Sequence, residues 1–222
     1  MGGYTRVQRL AAEFLGSSLL LTTVIGSGIM GERLSGGNVA IALLANTLAT
    51  GATLVTLIFT FGAVSGAHFN PVVSLAVAAN GRLRWGEVPG YIAAQLVGAF
   101  GGVAVAHAMF GLPAWTASSH VRQGLSLVAS EAVASFGLLA VILGLSRSRP
   151  TATAYAVGAY ILAAYWFTAS TSFANPAVTI ARALTDTFTG IRPADVPGFV
   201  VGQVLGAGAA VALFGWFEGA KK

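Results

Sequence analysis

Long apolar runs, separated by short polar segments, occupy most of the chain. A transmembrane α-helix needs about 20 mostly apolar residues to cross a hydrocarbon core about 30 Å thick. Six runs reach that length, and we predict spans at residues 10–30, 38–62, 88–110, 124–146, 151–171 and 195–217. The pattern therefore predicts an all-α membrane protein with six transmembrane helices in a single domain over residues 1–222.

Two further apolar stretches, 70–81 and 175–187, are too short to span, and each begins with Asn-Pro. At about 1.5 Å per residue they reach only about 16–20 Å, roughly half of the hydrocarbon core. Proline suits the first turn of a helix, where its missing N–H would have no partner, and asparagine suits the N-cap. We therefore predict two re-entrant half-helices, capped by Asn70 and Asn175.

The chain also repeats itself. The stretch "SGAHFNPVVSLAVA" from Ser65 matches "STSFANPAVTIARA" from Ser170, and we place the two repeats at approximately 1–115 and 116–222. Each repeat holds three spans, and an odd number of spans inverts the second repeat relative to the first. Inverted repeats place a functional site near the midplane of the membrane, where discontinuous helices of both halves meet.

Composition agrees with a lipid environment. Hydrophobic residues make up 55% of the 222-residue chain and charged residues 9%, against about 25% charged residues in soluble domains. The net charge of +5 comes from basic residues that flank the apolar runs, so we expect the lipid bilayer, and no nucleic acid, as a partner. The absence of cysteine excludes disulfides and thiolate chemistry. Glu13 interrupts the first run, which favours a span over a secretory signal.

Lysine and arginine predict the orientation, since cytoplasmic loops carry an excess of them. In a six-span arrangement one side carries Arg33, Arg122, Arg182 and Arg192. The other side carries twice as many basic residues, namely Arg6, Arg9, Arg82, Arg84, Arg147, Arg149, Lys221 and Lys222. We therefore predict a multi-pass protein of the inner (plasma) membrane with both termini in the cytoplasm.

Inverted half-helices point their first turns at each other in the middle of the membrane. Each helix N-terminus carries roughly half a positive charge, and the side-chain amides of Asn70 and Asn175 supply N–H donors. This meeting point of the two first turns, called the waist below, favours a neutral solute with lone pairs and opposes cations and protons. The sequence thus predicts a pore with the two asparagines at its centre.

The motifs "SGAHFNPVV" and "FANPAVT", the opening "AEFLG" and the six-span inverted repeat resemble the aquaporin and aquaglyceroporin family, the major intrinsic proteins. The resemblance covers nearly the whole chain. It implies six tilted helices and two half-helices around a pore, and a homotetramer with one pore in each subunit. The implied cap motifs are Asn70-Pro71-Val72 and Asn175-Pro176-Ala177. Val72 stands where the family usually has alanine, and we expect changed packing with an unchanged role.

The same resemblance implies that four residues form the narrowest ring, or selectivity filter: Thr50, Ala163, Ser172 and Val178. Val178 stands where the family normally has an arginine. An arginine would block part of the opening, offer several fixed donors and repel cations, and a valine does none of these. We therefore expect a wide, weakly polar filter like that of a bacterial aquaglyceroporin.

Four further polar residues are each compatible with two roles. Glu13 and Glu131, at equivalent places in the two halves, are either proton relays or, as the resemblance implies, acceptors for the backbone of the re-entrant loops. His68 either contacts solute in the pore and senses pH or is packed passively. Arg182, one turn beyond the ring, either gates the mouth or pairs with Asp186, and we favour the pairing.

These features predict a passive channel for small neutral solutes: glycerol-like polyols, urea-like amides, neutral metalloid hydroxides such as arsenous acid, and water. A strict water channel is one alternative, although it needs a tighter and more polar ring. A proton-coupled secondary transporter, in which Glu13 or Glu131 changes partner, is another. No catalytic set or metal-ligand cluster is readable, so we expect no enzyme activity, no cofactor and no metal site.

Overall fold

The computed structural model describes residues 3–219, and over that range it is all-helical. It contains there six long α-helices, two short ones and two 3₁₀ turns, at Trp85–Glu87 and Pro193–Asp195. The helices are α1 (Arg6–Leu34), α2 (Val39–Ser65), α3 (Pro71–Ala79), α4 (Val88–Met109), α5 (Leu125–Ser148), α6 (Pro150–Phe167), α7 (Pro176–Arg182) and α8 (Val196–Gly219). The predicted all-α fold with two half-helices, α3 and α7, is confirmed.

Five of these helices are long and apolar enough to cross a membrane: α1, α2, α4, α5 and α8. The sixth long helix, α6, has 18 residues, which extend about 27 Å and so nearly match a hydrocarbon core of about 30 Å. α6 ends at Phe167, before the predicted end at residue 171, because Thr168 adopts an extended backbone that leads into the second re-entrant loop. α7 likewise ends early, at Arg182.

The order long, long, short, long occurs twice along the chain. α1 packs on α2 and α4 in the first half, and α5 packs on α6 and α8 in the second. A further sequence match accompanies this order, since "RWGEVPGY" from Arg84 and "RPADVPGF" from Arg192 each form a 3₁₀ turn that leads into a long helix. In each copy the arginine pairs with the acid three residues later, Arg84 with Glu87 (3.2 Å) and Arg192 with Asp195 (2.8 Å).

Basic residues gather at the two opposite ends of the helix bundle. Arg82 donates to Ser146 (2.6 Å) in the last turn of α5, whereas Arg122, just before the first turn of α5, donates to the Gly190 carbonyl (2.7 Å). In the predicted orientation these two arginines lie on opposite sides of the membrane. Two of the residues used for that assignment lie outside the described part of the chain, namely Lys221 and Lys222.

Glycines bring the long helices close together. α4 meets α1 at Gly98, and α8 meets α5 at Gly206, where an added Cβ would overlap the backbone carbonyl of Phe14 or of Ala132, respectively. Small residues allow such close approach, and van der Waals packing drives helix association where water is absent. α1 and α5 carry the two buried glutamates, so these crossings also fix where Glu13 and Glu131 lie.

We expect Gly206→Ala to destabilise the folded protein by about 1–3 kcal/mol, the usual range for overpacking, because the new methyl group meets the Ala132 carbonyl. Gly208→Ala is the matched control, since it lies on the same helix and has open space around an added Cβ. The measurement is the thermal unfolding midpoint in detergent. Equal midpoints for the two variants would contradict the close crossing.

Candidate pore

The first turn of each half-helix is capped by the asparagine that precedes it. Asn70 Oδ1 accepts the Val72 N–H (3.1 Å), and Asn175 Oδ1 accepts the Ala177 N–H (3.0 Å). The other members of the two cap motifs are buried in these first turns and form no part of the cavity wall described below: Pro71, Val72, Pro176 and Ala177. Both half-helices therefore begin where the sequence predicted.

The same two asparagines tie the half-helices to each other. Asn70 Nδ2 donates to the Ala174 carbonyl (2.7 Å), and Asn175 Nδ2 donates to the Phe69 carbonyl (2.8 Å). Each amide thus bridges to the loop of the opposite half. Because an amide nitrogen carries two N–H groups, each asparagine retains a second donor beside this bridge. Both asparagines line the cavity, where that second donor can meet a solute.

Buried carboxylates hold the loops that lead into the half-helices. Both glutamate side chains are fully buried. Each accepts two consecutive backbone N–H groups: Glu13 from His68 (2.9 Å) and Phe69 (2.7 Å), and Glu131 from Phe173 (2.9 Å) and Ala174 (2.8 Å). These are the contacts that a loop-supporting role requires.

The two loops have a strained backbone. Ala67, Phe69, Ser172 and Ala174 have φ between 48° and 51°, in the left-handed region, which costs about 1–3 kcal/mol for each residue other than glycine. Such a backbone persists only where the surroundings fix it. The buried carboxylates and the crossed asparagines supply that constraint on both sides of the waist.

One cavity of about 470 Å³ passes both asparagines. At one end its wall includes Arg82 and Ser146, and at the other it includes Arg182. Between these ends the wall is largely apolar, with side chains from both halves that include Leu20, Leu54, Val73, Val77, Leu138, Val157 and Ile161. The cavity therefore has polar groups beside the two asparagines and at its ends, with apolar side chains between them.

Three of the four predicted ring residues line this cavity, namely Thr50, Ser172 and Val178, and Ala163 does not. The wall residues of α6 occur at every fourth position: Thr153, Val157, Ile161 and Tyr165. Ala163 is two residues from the nearest of them, about 200° around the helix, and lies on the exposed side. The prediction for Ala163 is therefore wrong, because counting back from the second cap assumed a register that α6 does not have.

Tyr165 is the wall residue of α6 that the sequence analysis missed. Its hydroxyl lies 3.4 Å from Thr50 Oγ1, so α6 and α2 meet in the wall at this level. The wall residues of α6 recur every four positions. However, α6 is apolar on all sides, so no polar stripe in the sequence marks the face that meets the cavity. The cavity thus has an aromatic member that the predicted ring lacked.

His68 combines features of both roles considered for it. Its ring lines the cavity, yet only 7% of the residue is exposed. Nδ1 lies 3.0 Å from Ser74 Oγ, and the ring packs against Tyr91 with centroids 5.2 Å apart. Because Nδ1 is engaged, Nε2 is the ring nitrogen available to a solute.

Arg182 does not pair with Asp186, contrary to the prediction. The Asp186 carboxylate accepts the Ser119 N–H (2.8 Å) and hydroxyl (2.9 Å), and these bonds lower its pKa. Spacing of four residues places side chains together only within a helix, and α7 ends at Arg182. Arg182 instead lines the cavity, with Nε donating to the Thr189 carbonyl.

Comparison with known proteins gives a consistent result. Residues 3–150 match the family described as "Major intrinsic protein". The chain is 52% identical over 216 residues to the aquaglyceroporin AqpS of Rhizobium meliloti (strain 1021), covering 97% of this chain and 92% of the relative. It is 33% identical over 210 residues to the aquaporin NIP1-3 of Oryza sativa subsp. japonica, covering 91% and 72%. The crystal structure of the aquaglyceroporin from Plasmodium falciparum has the same fold, with a TM-score of 0.71, 21% identity and coverage of 93% and 96%.

The register of α6 can be tested by a pair of substitutions. We expect Tyr165→Ala to raise the ratio of glycerol permeability to water permeability several-fold, because it removes a ring from the cavity wall. Ala163→Leu, on the exposed side of the same helix, should leave that ratio unchanged. Both are measured by stopped-flow light scattering on proteoliposomes at matched protein density. A change in the Ala163 variant without one in the Tyr165 variant would reverse the assignment.

Proposed function

The chain belongs to the major intrinsic protein family, and we propose that its pore admits neutral solutes substantially larger than water. It is a passive channel for small neutral solutes and water, and not an enzyme. The proposed solutes are polyols such as glycerol, amides such as urea, and neutral metalloid hydroxides such as arsenous acid. The 52% identical relative is itself named an aquaglyceroporin, which supports the first of these classes.

The single observation that carries the proposal is Val178 in the cavity wall. The resemblance implies an arginine at this position, three residues after the second cap. Valine supplies a short apolar surface there, with no donor and no charge. Thr50 and Ser172 add small side chains to the same wall, and Tyr165 adds one aromatic ring beside Thr50. A wall of this kind accommodates solutes with both carbon and oxygen atoms better than a tight polar ring would, and this argues against a strict water channel.

The contacts of the glutamates favour a channel over a proton-coupled transporter. Coupling needs an ionisable group that changes partner during transport. Glu13 and Glu131 each hold two backbone N–H groups of a strained loop, and each also accepts a glutamine amide, Gln95 (2.8 Å) or Gln203 (2.6 Å). Releasing either carboxylate would leave buried N–H groups without acceptors and dismantle the waist. Both groups are therefore suited to a static role.

The assembly we propose is a homotetramer in the inner (plasma) membrane, with both termini in the cytoplasm and one pore in each subunit. The chain acts as a single transmembrane domain, with inverted repeats at approximately 1–115 and 116–222. Residues of both halves of one chain line the cavity, which supports one pore in each subunit. Large apolar side chains are exposed on the long helices, for example Leu48 and Leu205, and these suit contact with lipid or with neighbouring subunits.

The proposed function is tested by flux into proteoliposomes. We expect water, glycerol, urea and arsenous acid each to equilibrate faster than in empty liposomes, without saturation. An imposed proton gradient should change none of these rates, because no carboxylate is released during passage. Accumulation of any solute against its gradient would refute the channel mechanism. Flux of water alone would refute the wide pore and leave a strict water channel.

The role of Val178 is tested by adding the side chain that the family usually has. We expect Val178→Arg to lower the ratio of glycerol permeability to water permeability by about tenfold or more, equivalent to at least about 1.4 kcal/mol. The long planar group extends into a wall that otherwise holds Thr50, Ser172 and the Tyr165 ring, and it adds a fixed charge. Val178→Ile is the control, with a small increase in volume and no charge. An unchanged ratio in the arginine variant would place the limiting level elsewhere in the pore.

A further inference from the structure

We infer that Arg182 forms a second selective level of the pore, a binding site for the oxygen atoms of polyols and neutral oxyacids. The inference rests on the proposed function and deepens it, because it names the solute class recognised at one end of the same pore. Arg182 lies one turn beyond Val178 on α7, about 6 Å further along the helix. The two levels can therefore be tested separately.

Arg182 is held in place by the protein. The residue is 2% exposed. Its Nε–H donates to the Thr189 carbonyl, and its guanidinium lies over the Phe173 ring, 3.4 Å from the ring centroid. A guanidinium fixed by a backbone acceptor and an aromatic face keeps one orientation, so it binds a solute without a further loss of side-chain freedom.

The remaining donors of Arg182 are available to a solute. A guanidinium has five N–H donors, and within residues 3–219 only the Nε–H has a protein acceptor. Arg182 forms no ion pair with any residue in that range. Since Arg182 lines the cavity, its terminal nitrogens can donate to oxygen atoms inside the pore.

The charge at this end determines which solutes fit. Arg122 places a second guanidinium over Phe173, 5.2 Å from the ring centroid. The carboxylates of this end bond to other groups, Asp186 to Ser119 and Asp195 to Arg192. Two guanidiniums beside one ring repel cations and attract lone pairs. Polyols and neutral oxyacids present several oxygen atoms to these donors, whereas urea presents one.

The inverted repeat indicates that this arrangement is not a requirement of the fold. Val77, seven residues after Asn70, is the counterpart of Arg182, seven residues after Asn175. Val77 also lines the cavity, so the other half-helix accepts an apolar side chain at the same position. Arg182 is therefore a feature of one end of the pore.

The inference is tested in proteoliposomes with glycerol, urea, water and K⁺ as probes. We expect Arg182→Gln to raise K⁺ permeability by about tenfold or more, because it removes the fixed charge from the wall, and to lower the glycerol-to-urea flux ratio several-fold. Arg182→Lys should stay K⁺-tight and still lower that ratio, because lysine lacks the planar fork.

Arg33→Gln is the matched control. Arg33 is at the C-terminal end of α1, lies over the Phe110 ring at 5.0 Å, and is outside the cavity wall, so its variant should behave like the parent. A parent-like glycerol-to-urea ratio in both Arg182 variants would overturn the inference. If Arg182→Gln gives no water flux and so has not folded, the ratio in Arg182→Lys decides alone. Neither result touches the proposed function, which is tested on the parent protein by its own flux measurements.

Discussion

Two stretches of irregular backbone lie in the middle of a membrane protein, and each of their polar groups needs a partner inside the protein. Hydrocarbon offers none, so a returning loop is tolerated only where protein or a water-filled cavity supplies it. Glu13 and Glu131 are the main solution, because one carboxylate accepts two consecutive N–H groups at once. The close helix crossings at Gly98 and Gly206 belong to the pairs that carry these carboxylates, so the crossings serve the same constraint.

Once the loops are held, the chemistry of the waist follows. Each cap asparagine uses its side-chain oxygen for the first turn of the half-helix and one N–H for the opposite loop. A second N–H remains on each residue in the cavity wall. The protein holds both asparagines in place, so a solute oxygen can replace water at these donors. The same fixation explains why the channel is passive. Neither Glu13 nor Glu131 can change partner without exposing buried backbone, so neither carboxylate supplies the second state that coupling to an ion gradient needs.

Local rules predicted the features that depend on local chemistry. Asn-Pro identified both half-helix starts, because a cap and a proline act within one turn, and the odd number of spans in each repeat followed from hydropathy. The register of α6 did not follow, since a helix surrounded by apolar groups on all sides has no polar face to mark which residues meet the pore. Tyr165 was missed for that reason, and Ala163 was wrongly chosen because the family's spacing from the second cap does not match the register of α6. The predicted pairing of Arg182 with Asp186 was wrong for a different reason. A spacing of four residues brings side chains together only within a helix, and α7 ends at Arg182.

The scaffold repeats, but the wall of the pore does not. His68 and Phe173 occupy equivalent places, two residues before each cap, and so do Val77 and Arg182, seven residues after. All four line one cavity, so its two ends offer different chemistry on equivalent backbones. In a passive pore this asymmetry cannot give net flow a direction, because the solute gradient alone sets that. It can only determine which solutes enter the pore and how much of their hydration they lose at each end. The repeated fold therefore supplies the waist, and the side chains that differ between the two halves determine selectivity.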